Sequence, residues 1–119
     1  MRKNFLKKIY IAKRLERTVD DNGHYIERYD EPVEYMMNVQ PMNAGLEMEA
    51  YGTKAMQMQK AICRYADFKD MFTENDVAYL DGVTPEGEEI HGTNANYRIE
   101  AVLNQNKCIA IYFERRAGR

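Results

Sequence analysis

Short stretches of this sequence alternate apolar and polar residues with a period of two, which is the pattern of β-strands that bury one face. The longest is residues 96–115, where two alternating runs flank Asn104-Gln105-Asn106. Polar amide residues favour tight turns, so residues 96–115 are predicted to form a β-hairpin. Shorter alternating runs at residues 33–39 and 77–80 predict two further strands.

The N-terminal part of the chain predicts a second hairpin. Residues 5–19 and 24–29 alternate on either side of Asn22-Gly23. Asn-Gly is a strong hairpin signal, because both central residues of the two-residue turn need positive φ. A helix over residues 5–17 is the alternative, since Lys, Arg, Leu and Glu all favour helices. The Asn-Gly turn favours the hairpin, with the first few residues as an arm.

The middle of the chain fits more than one structure. Residues 41–45 contain Pro41 and Gly45, both turn formers, and predict a loop. Residues 53–65 fit a strand or a short helix equally well, because apolar residues alternate while Ala and Gln favour helices. Residues 82–96 are rich in Gly and polar residues and predict one long loop. A loop of that length in a small domain is usually functional or mobile.

These elements predict a mainly β fold, a small antiparallel, SH3-like β-barrel of about six strands. An N-terminal hairpin extends it, one long loop interrupts it, and there is room for one short helix. At 119 residues the chain is expected to form a single domain. Within it, residues 1–30 would be the arm and hairpin, and residues 31–119 the barrel core with loop 82–96.

Charge is distributed unevenly along a chain whose net charge is only −2. Basic residues crowd the N-terminal end, with Glu16 opposing them: Arg2, Lys3, Lys7, Lys8, Lys13, Arg14 and Arg17. In one interpretation this segment binds along the phosphates of a nucleic acid. In the other it forms a solvated strand face and an arm that docks an acidic partner. The second interpretation is favoured, because a matching basic face is offered only by Arg115, Arg116 and Arg119.

No catalytic, metal or cofactor site is evident in the sequence. Serine is absent, which excludes a serine nucleophile. His24 and His91 are predicted to be solvated loop residues, and Cys63 and Cys108 lack metal-site spacing and are expected to be buried free thiols. The acidic cluster at residues 67–76 does not have the spacing of a calcium loop, and is interpreted as turn and solvated-face residues. We therefore expect a protein that is not an enzyme.

The location of the protein is predicted from segments that the sequence lacks. No apolar run approaches the length of a membrane span. The N-terminus is charged but has no apolar segment of the signal-peptide kind. The chain is therefore expected to be made, and to stay soluble, in a cytoplasm.

Several segments together resemble one protein family. They are Tyr51-Gly52, residues 72–80 with a Phe-x-x-x-Asp-x-x-Tyr pattern leading into a strand, Asn96-Tyr97-Arg98-Ile99, Asn104-Gln105-Asn106 and the closing strand 109–115. Over residues 25–115 the chain is similar to the head-tail joining proteins of tailed phages, the small connector or stopper proteins that close the filled head. The N-terminal hairpin has no counterpart in that pattern.

The resemblance implies a structural role in the virion, assembled in the bacterial host cytoplasm. Such proteins form a homo-oligomeric ring that contacts a portal or adaptor protein and the tail proteins, seals the packaged DNA and involves no membrane. The arm at 2–17, loop 82–96 and the tail 114–119 are the predicted contact regions. Candidate assembly contacts within them are Arg2, Lys3, Lys7, Lys8, Glu86, Glu88, Glu89, His91, Arg115 and Arg116. The alternatives are a tail-completion or terminator protein of the same particle, and a small-barrel nucleic-acid-binding protein.

Overall fold

The computed structural model of the protein describes residues 6–42, 57–105 and 107–116. Strands dominate this part of the chain, with one short helix between the fifth and sixth strands. The elements in chain order are β1 (Lys7–Ala12), β2 (Thr18–Val19), β3 (Tyr25–Ile26), β4 (Val33–Pro41), β5 (Met58–Arg64), α1 (Tyr65–Phe68), β6 (Val77–Tyr79), β7 (Tyr97–Gln105) and β8 (Cys108–Arg115).

Six strands close into a barrel in the order β1-β4-β5-β8-β7-β6. The barrel closes because β6 pairs with β1 as well as with β7, and all neighbouring pairs are antiparallel. Strands β2 and β3 form a separate two-stranded sheet. The prediction of a mainly β fold built on a small antiparallel barrel is confirmed.

Alternation along each strand fills the barrel interior with side chains. Ile9 and Ile11 of β1 face inward, while Tyr10 between them faces out. The other strands contribute in the same way, and the buried cluster includes Met37, Val39, Ala61, Leu80, Ile99, Ile109, Ile111 and Phe113. Each large apolar side chain that is fully buried contributes about 1.5–3 kcal/mol. The hydrophobic period read from the sequence therefore decides which face of each strand forms the core.

The C-terminal hairpin is confirmed. Its strands pair from Tyr97 opposite Arg115 to Gln105 opposite Cys108. The register shifts between Ile99 and Ala101, which leaves one additional residue in β7 and makes a β-bulge. Asn106 of the predicted turn lies outside the described residues.

The N-terminal segment differs from the prediction, which joined residues 5–19 into one strand of an extension. The structure divides this segment into β1 and β2, and β1 is a barrel strand that pairs with β4 and β6. The boundary at residue 30 between extension and core is therefore corrected. Alternation identified the strand, but nothing local in the sequence specifies which distant strands pair with it.

The second predicted hairpin is present as β2 and β3, with a different turn from the one expected. Gly23 has a φ of +83°, but Asn22 is not among the residues with positive φ. The turn is held by Asp20, whose carboxylate accepts hydrogen bonds from the backbone N–H groups of Asn22 and His24, both at 2.9 Å. This Asp side chain stabilises a longer loop, so the two-residue Asn-Gly turn is not needed.

The ambiguous middle segment contains both of the predicted alternatives. Strand β5 covers Met58–Arg64, and α1 follows at once over Tyr65–Phe68. Residues 53–56 lie outside the described residues, as do residues 43–45 of the predicted loop. Phe68 at the end of α1 and Phe72 just after it pack their rings against Tyr35, with centroid distances of 5.9 and 5.3 Å.

Candidate functional site

Loop 82–96 lies across the outer surface of the barrel. Since Ala78 and Leu80 face the interior, Val77 and Tyr79 of β6 face outward, yet both are buried. They form a second hydrophobic cluster with Ala12 and Ala95, and Ala95 belongs to the loop. The loop therefore covers an apolar patch on the outside of β1 and β6.

Glu88 organises the centre of this loop. Tyr79 donates its hydroxyl proton to the Glu88 carboxylate, with O–O distances of 2.8 and 3.0 Å. The N–H groups of Gly92 and Asn94 donate to Tyr79 Oη and Glu88 Oε2, both at 2.9 Å. Burial, followed by the hydrogen bond to Glu88, raises the pKa of Tyr79 well above its usual range. The predicted contact residue Glu88 therefore stabilises the loop from within.

The C-terminal end of the loop is fixed by two polar side chains. The Asn96 amide pairs with the backbone of Leu80, accepting from its N–H at 2.9 Å and donating to its carbonyl at 3.0 Å. Arg116 Nη1 donates to the carbonyls of Gly92 and Ala95 at 2.8 and 2.9 Å. Arg116 was another predicted contact residue, and it too has a structural role.

Tyr29 connects this loop to the segment that follows β3. A methyl group placed on Gly92 would lie 2.5 Å from Cδ2 of the Tyr29 ring, and Gly92 has a φ of +92°. A glycine is required at this position both for the close approach and for the backbone conformation. The loop and the N-terminal hairpin are thus packed directly against each other.

An exposed apolar surface lies where this hairpin and the loop meet. A cleft of about 500 Å³ is lined by Ile26 from β3 and by Ile90 from the loop. Val19 and Tyr25 of the same hairpin are also exposed. The exposed fractions are 58% for Val19, 70% for Tyr25, 44% for Ile26 and 70% for Ile90. Val19 and Tyr25 pair with each other and therefore lie on the opposite face of the two-stranded sheet from Ile26. We call the two residues on the cleft side, Ile26 and Ile90, the hairpin–loop surface.

A smaller cleft, of about 220 Å³, is rich in arginine. Arg14, Arg17, Arg98 and Arg116 line it together with Glu27, Tyr29, Asn75 and Val77. We call it the arginine cleft. No local pattern predicts this cleft, because Arg98 reads as an ordinary strand residue, and only the pairing of Val77 with Arg98 places it beside β6.

Asp76 corrects the interpretation of the acidic cluster. Asp67, Asp70 and Glu74 are exposed as predicted, but Asp76 is fully buried. Its carboxylate accepts from the backbone N–H of Arg14 at 2.8 Å and of Thr73 at 3.0 Å, and lies 3.0 Å from Lys13 Nζ. Its partners Lys13 and Arg14 are distant in sequence, so local spacing gave no indication of this role.

The other predicted contact residues are at the surface. Those with exposed side chains are Lys7, Lys8, Glu86, Glu89, His91 and Arg115. Arg2 and Lys3 lie outside the described residues. The structure brings the two loop residues Glu89 and His91 to the cleft that Ile26 and Ile90 line, whereas Lys7 and Lys8 lie on β1.

The histidines and cysteines noted in the sequence all lie in the described part of the chain. His24 and His91 are exposed, as predicted. Neither Cys63 nor Cys108 is in a disulfide, and both are only half-buried, which corrects the expectation of full burial. Burial raises the pKa of the Cys63 thiol to about 11, so that thiol is protonated and weakly nucleophilic at neutral pH.

Neither a metal-ligand cluster nor a membrane-spanning helix is present among the described residues. Among residues 6–42, 57–105 and 107–116, three or more His, Cys, Asp or Glu side chains do not come together in a way that could hold a metal ion. Within those ranges, no helix has the length and apolar character needed to cross a membrane.

Comparison with known proteins supports the fold. The sequence matches no protein-family model and no curated protein. The solution structure of protein SF1141 from Shigella flexneri 2a is similar, with a TM-score of 0.55, 16% sequence identity and 96% of each chain covered. At this level of identity the similarity shows a shared fold over nearly the whole length of both chains.

Proposed function

We propose that this chain is a structural subunit of the head–tail connector of a tailed bacteriophage. Copies of it would form a ring that closes the DNA-filled head and docks the tail. The hairpin–loop surface is the observation that carries the proposal. The sequence resemblance to head-tail joining proteins supports the same role, and a barrel filled with side chains is suited to a rigid building block.

The partner for the hairpin–loop surface is an adjacent copy of the chain in the ring. Contacts between different patches on identical subunits close into a ring when the rotation per subunit fits. Within the described residues, β2 and β3 pair only with each other, so their outer edges offer main-chain groups as well as apolar side chains. Strand edges of this kind are common sites of association between chains.

The size of the surface predicts assembly on a template. Covering the exposed parts of its two apolar side chains would contribute about 1 kcal/mol each. Association costs at least about 4 kcal/mol in lost translational and rotational freedom. One such contact is therefore too weak to hold two free subunits together. A subunit that contacts a neighbouring copy on each side and also binds a preformed ring would gain from several contacts at once.

Replacing Ile90 by glutamate tests this surface. The Ile90→Glu change places a charge on an exposed residue of the surface, so we expect the folded chain to be retained and the ring to fail. A phage that depends on the variant chain should give DNA-filled heads without tails. Ile62→Glu is the matched control, because Ile62 is also exposed but lies on β5. Normal tailed particles from Ile90→Glu would contradict the proposal.

A further inference from the structure

The arginine cleft gathers its four guanidinium groups from three separate parts of the chain. Arg14 follows β1 and forms an isolated bridge with Tyr29, which brings the two chain segments together. Arg17 precedes β2, Arg98 lies on β7, and Arg116 follows β8. Four like charges around one cleft repel each other, so such a cluster is costly unless anions balance it.

Carboxylates of the protein lie close to some of these arginines. Glu27 lies 3.0 Å from Arg17 Nε and is the one acidic residue among the described residues that line the cleft. Arg98 Nη2 donates to Glu100 and Glu114, both at 2.5 Å. Asp76, behind the cleft, is paired with Lys13. Positive charge therefore predominates along the cleft lining.

Arg14 is the cation best placed to meet a ligand. Its side chain is exposed, and its backbone N–H, not its guanidinium, makes the hydrogen bond to Asp76. Arg14 and Arg116 both act electrostatically on the half-buried Tyr29. Burial raises the pKa of its hydroxyl, the two arginines lower it, and the carboxylates of Glu27 and Asp76 raise it further. The Tyr29 hydroxyl therefore lies within the field of both guanidinium groups.

We propose that the arginine cleft is a binding site for a phosphate group, with Arg14 and Arg116 as its main cations and Tyr29 as a neutral donor. Guanidinium groups present several N–H donors in a planar fork that matches phosphate oxygens. A site with more than one guanidinium suits an anion with several oxygens. Inorganic phosphate and the backbone of a nucleic acid share this chemistry. The site goes beyond the connector role and does not depend on it.

Calorimetric titration of the full chain with inorganic phosphate tests the site, with sodium chloride of equal ionic strength as the reference. We expect saturable binding of phosphate. Arg14→Gln should weaken that binding about tenfold or more, as expected for the loss of a charge-assisted hydrogen bond. Arg64→Gln is the matched control: Arg64 is exposed but lies outside the cleft, so its replacement should change the affinity less than about twofold.

A second titration, with a short single-stranded oligothymidylate, distinguishes the two sources of phosphate. If oligonucleotide binding depends on Arg14 and is competed by inorganic phosphate, the ligand is a nucleic-acid phosphate. If only inorganic phosphate binds, the ligand is a small free phosphate, and the site stands. Absence of saturable phosphate binding, or equal losses in Arg14→Gln and Arg64→Gln, would overturn the proposal and leave the connector role unaffected.

Discussion

Asp76 joins the end of β1 to the turn before β6, and its replacement by asparagine tests how the barrel is held closed there. The carboxylate accepts two backbone N–H bonds, from Arg14 and Thr73, and pairs with Lys13. An asparagine oxygen satisfies one of the two N–H groups, but its amide nitrogen is itself a donor and faces the other. Asp76→Asn therefore leaves a buried donor unpaired.

The cost follows from these contacts. An unpaired buried donor costs about 1–3 kcal/mol. The hydrogen bond that remains is also weaker, because the asparagine oxygen that accepts it carries no full negative charge. The ion pair adds little, because the Lys13 side chain is 42% exposed and screened by solvent. We expect Asp76→Asn to lower the free energy of unfolding by about 2–4 kcal/mol, a large share of the ~5–15 kcal/mol of a typical domain.

Urea unfolding followed by circular dichroism measures this change. Asp70→Asn is the matched control, because Asp70 is exposed and has a φ of +58°, a conformation that asparagine also tolerates. We expect that control to lie within about 0.5 kcal/mol of the unmodified chain. An Asp76→Asn chain as stable as the control would refute the structural role assigned to this carboxylate.

Three further changes test the loop and the thiol. Gly92→Ala should lower stability by about 1–3 kcal/mol, measured by thermal unfolding, because its methyl group would overlap the Tyr29 ring. Tyr79→Phe should cost about 1–3 kcal/mol and speed hydrogen exchange at the Gly92 amide, since the bonds to Glu88 and Gly92 are lost. Labelling of the Cys63 thiol should accelerate until the pH reaches about 11, because the thiolate is the reactive form.

Each of these predictions has an outcome that contradicts it. Gly87→Ala is the control for Gly92→Ala, since Gly87 has a similar φ of +83° but no atom within 4 Å of the added methyl group; equal losses would exclude the overlap. Unchanged exchange in Tyr79→Phe would show that the hydroxyl does not hold the loop. For Cys63, a labelling rate that levels off near pH 9, the ordinary thiol pKa, would contradict the effect of burial.

The elements that the sequence predicted well are those in which local pattern and tertiary environment agree. Residues 96–115 alternate because one face of β7 and β8 is buried, and the polar turn lies between them. The strand at β1 was recognised for the same reason. Its pairing with β4 and β6 was not, because strand partners are chosen by side-chain packing across the whole barrel.

The polar residues were harder to predict. Glu88 and Asp76 resemble surface carboxylates in sequence, and each is instead an acceptor for donors that only the folded chain supplies. For Asp76 the nearest of those in sequence is Thr73, while Arg14 lies 62 positions away. The arginine cleft was missed for the same reason, since its arginines come from three separate segments. Side chains that act over long sequence separations leave no periodic signal.

An electron cryomicroscopy map of the head–tail junction, from phage particles assembled with this chain, tests the proposed function most directly. We expect a closed ring of copies between the head and the tail, with the hairpin–loop surface of each copy against its neighbour. A ring on the tail side alone would favour the tail-completion role. A junction that contains no copy of the chain, or a ring in which Ile26 and Ile90 face solvent, would contradict the proposal.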